Sequence, residues 1–206
     1  MKPLRILLAD DHAVVRIGLA SLLEAERDMV VVGQAKNGVE AVQIARTEKP
    51  DVVVMDLMMP RMNGADATAA LSAECPAAKV IVLTSYGAAD DVAHALEAGA
   101  AGALMKTAED GALVDAIRRI VNGERVISPE IRQLLAEDPP VPDLTPRQRE
   151  ILSSITRGLT NREIAVQLGI RRDGVDRHVN AILAKVGAAN RAEAVAIALR
   201  KHLLQA

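Results

Sequence analysis

The chain has 206 residues, half of them hydrophobic and a quarter charged, with 13 Gly, 9 Pro, one Cys and a formal net charge of −2. That composition supports a buried core in one large or two small domains and excludes a disordered chain, a collagen-like fibre and a disulfide scaffold. A lone Cys75 closes no intramolecular bridge, the opening residues break their apolar run with acid, and no stretch nears the roughly 18 apolar residues of a membrane span, so a reduced, soluble, cytoplasmic protein is expected.

From the N-terminus, short apolar runs alternate with segments of helical period. Residues 4–9, 29–35, 52–55, 80–83 and 103–105 read as strands, and most are continuously apolar, as parallel strands covered on both faces are. Between them, 13–26, 38–48, 64–73, 88–98 and 109–121 read as helices. The pattern is an α/β fold, a (βα)5 doubly wound parallel sheet, over residues 1–124. In such sheets functional groups gather at the carboxyl ends of the strands.

That rule places Asp10 and Asp11 after the first strand, Asp56 at the end of the third, Thr84 and Ser85 at the end of the fourth and Lys106 at the end of the fifth. Carboxylates held together repel, and a hard divalent cation such as Mg²⁺ relieves them. A hydroxyl and an ammonium beside them suit phosphoryl oxygens. Asp56, the central carboxylate, can attack phosphorus and become an acyl phosphate while Lys106 and Mg²⁺ offset the developing charge.

Residues 125–142 read as a linker with a short helix near 129–136 and a Pro-rich end, Asp138–Asp143. Beyond it, 146–157, 161–168, 172–186 and 191–203 read as helices of a small all-α domain, residues 143–206. That domain carries 11 Lys and Arg against 6 Asp and Glu, whereas the rest of the chain carries 14 against 21. A basic domain joined to an acidic one suggests a nucleic-acid contact. With Tyr86 the sole aromatic, base stacking is nearly unavailable, so duplex DNA is the expected partner.

Thr145-Pro146-Arg147-Gln148 and Thr160-Asn161-Arg162-Glu163 are capping boxes. A helix from 161, a turn at Gly169 and a longer helix from 172 have helix-turn-helix spacing. On the second helix Val175, Val179, Ile182 and Val186 form the apolar stripe. The opposite face presents Asp173, Arg177, Asn180 and Ala184. Arg177 and Asn180 have the donors to read guanine and adenine edges. Arg171, Arg172, His178 and Lys185 stand where phosphate contacts are expected.

Asp10-Asp11, Asp56-Leu-Met-Met-Pro60 with Gly64, Thr84, and Lys106 after Gly99-Ala-Ala-Gly102 resemble the receiver domains of two-component response regulators over residues 4 to about 122. The resemblance implies that Asp56 takes phosphate from a sensor histidine kinase and that Asp11, Asp56 and the Met58 backbone carbonyl hold Mg²⁺. Asp10 would support the metal through water, and Thr84 and Lys106 would bind phosphoryl oxygens. The family usually carries a switch aromatic three residues before the Lys; here it is Ala103, and Tyr86 is the candidate substitute.

Leu144-Thr-Pro-Arg-Gln-Arg-Glu-Ile-Leu152, Gly158-Leu-Thr-Asn-Arg-Glu-Ile-Ala165, His178, Lys185 and Arg191-Ala-Glu-Ala-Val195 resemble the LuxR-type DNA-binding domain. The two together resemble the NarL/FixJ architecture, which implies a phosphorylation-dependent transcription regulator, not an enzyme, acting as a homodimer on DNA and making no membrane contact. Departures fall at the DNA face. Where the family prefers Ser, Thr and Lys, this chain has Arg171, Gly174 and Asp176. A cap is lost, a glycine enters the first turn, and Asp176 would repel a nearby phosphate. Two other readings stay open: a DNA-binding regulator that works without phosphorylation, favoured by Ala103, and an aspartyl phosphohydrolase, disfavoured because Met58 stands where such enzymes place a second acid.

Overall fold

The computed structural model describes residues 2–85, 89–108, 110–137, 144–201 and 203–204. The chain divides into two compact units, Met1–Pro140 and Val141–Ala206. In the first, β1 (Leu4–Ala9), α1 (Ala13–Glu24), β2 (Met29–Ala35), α2 (Gly38–Glu48), β3 (Val52–Asp56), α3 (Gly64–Glu74), β4 (Lys79–Thr84), α4 (Ala89–Glu97), β5 (Gly102–Met105) and α5 (Asp110–Val121) alternate as expected. All strand pairs are parallel, in the order β2-β1-β3-β4-β5-β6, where β6 is Val126–Ile127.

The strand interiors are largely apolar on both faces because alternate residues enter two separate cores. Ile6, Leu8, Val52, Val54, Ile81 and Leu83 pack with Leu23 of α1 and Ile117 and Ile120 of α5. Leu7, Val53, Met55, Val80, Val82 and Ala103 face the other way, onto small residues of α2, α3 and α4 such as Ala41, Ala45, Ala67 and Ala95. Alanine at these contacts lets the helices lie close to the sheet without aromatic filler.

The reading of residues 125–142 as a linker is corrected over its first part. Val126 and Ile127 pair with Gly102 and Ala103 as a sixth strand, and Ser128 donates its backbone N–H to the Ala103 carbonyl at 3.0 Å. Helix α6 (Pro129–Glu137) follows, with Pro129 at its first position, and buries Ile131 completely in the core shared by α4 and β5. A two-residue strand has no periodicity to read, so the sequence conceals it.

The second unit holds α7 (Pro146–Thr156), α8 (Asn161–Gln167), α9 (Arg172–Val186) and α10 (Arg191–Arg200) around a core of Ile151, Leu152, Ile155, Ile164, Val175 and Ile182. Both capping boxes form: Thr145 with Gln148, and Thr160 with Glu163. Gly158 and Gly169, each at positive φ, turn the chain out of α7 and α8.

Candidate functional site

Parallel register delivers the acidic residues to one rim. Ala9 pairs with Met55, so Asp10 leaves β1 beside Asp56, the last residue of β3. Thr84 pairs with Met105, which sets Lys106 next to the end of β4. Asp10 and Asp56 are almost fully buried, at 2% and 3% exposure, which a charged side chain tolerates only with a partner. That partner is Lys106, whose Nζ lies 2.7 Å from Asp10 Oδ2 and 2.8 Å from Asp56 Oδ2.

The electrostatics follow from this geometry. Burial pushes the Asp56 carboxyl above its ordinary pKa, against the opposing pull of Lys106. Burial also works against the Lys106 ammonium, but its hydrogen bonds to Asp10 and Asp56 outweigh that and hold it above the usual lysine value. One cation thus faces two buried carboxylates, with the exposed Asp11 beside them.

Asp10, Asp11, His12 and Asp56 offer ligand atoms that all lie within 4.8 Å of one another. Asp10 Oδ2 is buried and meets only the Lys106 ammonium, at 2.7 Å. Residual negative charge and hard oxygen donors are what a small divalent cation requires, so the residues fit one. Met58 donates its backbone N–H to Asp56 Oδ1 at 3.3 Å while its side chain stays exposed. The loop after Asp56 folds tightly back: Gly64 donates to the Leu57 carbonyl at 2.9 Å, and a Cβ on Gly64 would stand 2.2 Å from the Asp56 carbonyl oxygen. Glycine is required there by contact with backbone.

Thr84 is buried at the rim, but its hydroxyl donates to the Ser85 carbonyl at 2.9 Å. Tyr86, the candidate switch aromatic, lies outside the described residues. His12, which the sequence reading passed over, sits with its Nδ1 2.6 Å from Asp11 Oδ1 and 3.4 Å from Asp10 Oδ1. The signal for it was its place directly after two acids.

On α9, Asp173, Arg177, Asn180 and Ala184 are exposed together, as the helical period requires. Arg171 and Arg172 are exposed at its start, and His178 and Lys185 are half-buried on its flanks. Arg171 occupies the N-cap and makes no capping bond. Asp176 is not a free repelling charge: Asn161 Nδ2 donates to its Oδ1 at 2.7 Å, and Arg172 Nε stands 3.8 Å from its Oδ2. Arg191 in turn donates to Asn161 Oδ1 at 2.9 Å and to the Leu159 carbonyl, so α8, α9 and α10 are tied at one point.

Residues 6–118 match the family model for the response regulator receiver domain, and residues 142–198 that for bacterial regulatory proteins of the luxR family. The chain belongs to the LuxR-type response regulators. This response regulator is 40% identical over 210 residues to the transcriptional regulatory protein LiaR of Bacillus subtilis (strain 168), covering 98% of this chain and 99% of that protein. It is 36% identical over 208 residues to the response regulator protein VraR of Staphylococcus saprophyticus, covering 98% and 100%. Among solved structures it resembles the response regulator ChrA of a heme-sensing two-component system, at 37% identity and a TM-score of 0.60 over 99% of this chain and 100% of that one. The response regulator therefore couples a two-component receiver to a LuxR-type DNA-binding domain, as a regulator of transcription.

Proposed function

We propose that Asp56 is the phosphoacceptor of this response regulator. Its carboxylate oxygen attacks the phosphorus carried by an imidazole of a sensor histidine kinase; the P–N bond breaks as the acyl phosphate O–P bond forms. Lys106, whose Nζ lies 2.8 Å from Asp56 Oδ2, would pair with a phosphoryl oxygen. Thr84 would supply a hydroxyl to another once it leaves the Ser85 carbonyl. Asp10, Asp11, Asp56 and the Met58 carbonyl would hold Mg²⁺, which when bound offsets negative charge on the phosphoryl group.

The observation that carries this reading is the nearly buried Asp10–Lys106–Asp56 arrangement, costly in a purely structural core. Incubation of the full chain with acetyl phosphate and Mg²⁺, followed by intact-mass and peptide analysis, should give a hydroxylamine-sensitive adduct at Asp56 and none in Asp56→Asn. A folded wild-type protein that gains no adduct overturns it.

The output side reads DNA through α9, with Arg177 and Asn180 toward base edges and Arg171, Arg172, His178 and Lys185 toward phosphates. A helix-turn-helix reader of this kind works as a homodimer on two half-sites. A regulator that binds chromosomal DNA acts in the cytoplasm. The receiver domain would then extend through α6, whose Ile131 lies in its core.

A second reading has one observation in its favour: Ala103, fully buried on β5, replaces the usual switch aromatic. DNA binding independent of phosphate would then persist undiminished in Asp56→Asn, and its loss in that variant would dismiss the reading.

A further inference from the structure

We propose that His12 adds a nitrogen donor to the acidic pocket, so that the pocket takes borderline first-row cations such as Co²⁺ and Zn²⁺ through His12 as well as Mg²⁺ without it. The inference rests on the reading of that pocket as a cation site and extends it to the choice of metal. His12 occupies the N-cap of α1, a position that ordinarily favours Ser, Thr, Asp or Asn for their capping oxygen. Its side chain makes no capping bond, and its backbone N–H is instead received by Asp10 Oδ1 at 2.8 Å. The ring turns toward the carboxylates, 2.6 Å from Asp11 and 3.4 Å from Asp10.

The donor atoms of Asp10, Asp11, His12 and Asp56 form one group within 4.8 Å. Bonds of about 2.0–2.2 Å from a central ion would span it after a small turn of the ring. That turn is available, because the His12 side chain is 69% exposed. Asp10 Oδ2, buried and met only by the Lys106 ammonium at 2.7 Å, keeps negative charge in the same pocket, since that one cation also serves Asp56. Mg²⁺ prefers oxygen ligands and retained waters, so it gains little from imidazole. Affinity for nitrogen donors rises from Mn²⁺ through Co²⁺ to Cu²⁺, and Zn²⁺ also takes imidazole readily, so His12 separates the two classes.

Titrating the full chain with MgCl2 and CoCl2 by calorimetry, with visible spectra of the Co²⁺ form, tests this. His12→Asn keeps a favoured N-cap and so preserves α1, and Asp56→Asn identifies binding at this pocket as opposed to other histidines. We expect His12→Asn to weaken Co²⁺ at least about tenfold, with altered d–d bands, while Mg²⁺ affinity holds within about twofold. Unchanged Co²⁺ affinity and spectrum overturn the proposal. So does an equal loss for both ions, which would mean that the ring only steadies Asp11. If neither ion binds the wild type in a manner that Asp56→Asn abolishes, the cation site itself falls, and the role of His12 with it.

Discussion

The side-chain amide of Asn161 donates to Asp176 Oδ1 at 2.7 Å, fastening the start of α8 to the second turn of α9. A carboxylate on the face proposed to meet DNA looks adverse until its partners are counted: Asn161 uses one oxygen, and Arg172 lies near the other. Asp176→Lys exchanges that tie for a phosphate-seeking charge. We expect it to raise affinity for random duplex DNA and steepen the salt dependence by about one unit of log–log slope. The lost hydrogen bond should cost the C-terminal unit about 0.5–1.5 kcal/mol. Fluorescence anisotropy at several salt concentrations, with thermal unfolding alongside, measures both.

Arg177 and Lys185 should separate recognition from positioning. Arg177→Ala should cost about 1–3 kcal/mol on the cognate site and little on random DNA, whereas Lys185→Ala should weaken both alike and flatten the salt slope by about one. Binding isotherms on specific and scrambled duplexes give the comparison. Equal losses from both substitutions on both duplexes would refute the assigned roles.

Asp56 burdens the metal-free protein. Burial raises its folded pKa, opposed in part by Lys106. A carboxyl raised on folding costs stability fully above its folded pKa, and the cost disappears as pH falls below its unfolded value. Asp56→Asn should therefore raise the melting temperature of the receiver in chelator at pH 7 and much less near pH 4. Mg²⁺ should raise that of the wild type and leave the variant nearly unmoved. Differential scanning calorimetry across pH, with and without EDTA, reads each part.

Ile131 tests whether α6 belongs to the receiver. It is completely buried, so Ile131→Ala should destabilise the first unit by about 2–5 kcal/mol. The unfolding of the C-terminal unit should not shift. Urea unfolding followed by probes in each unit distinguishes this from a linker helix, whose truncation would leave both transitions in place.

Much of the fold was legible because its signals are local. Continuous apolar strands, Thr145 with Gln148, and Thr160 with Glu163 each declare themselves within a few residues, and the structure forms all of them. Asp10, Asp56 and Lys106 were also within reach, since parallel strands bring their ends together whatever the separation along the chain. The tie from Asn161 to Asp176 and Arg191 was not, because it joins residues 15 and 30 positions apart by side-chain geometry alone. His12 was hidden for a different reason: a histidine at a helix start reads as a weak cap until its ring is seen against the carboxylates.

The sixth strand and the helix behind it carry a practical consequence for dissecting the protein. A receiver severed after Gly123 would lose Val126 and Ile127 from the flank of β5, baring the backbone groups of Gly102 and Ala103, and would open the socket that Ile131 fills. Such a fragment would offer other molecules a naked sheet margin next to a greasy hollow. Its clumping or altered kinase response would report the cut, and only a piece reaching Glu137 would report the domain.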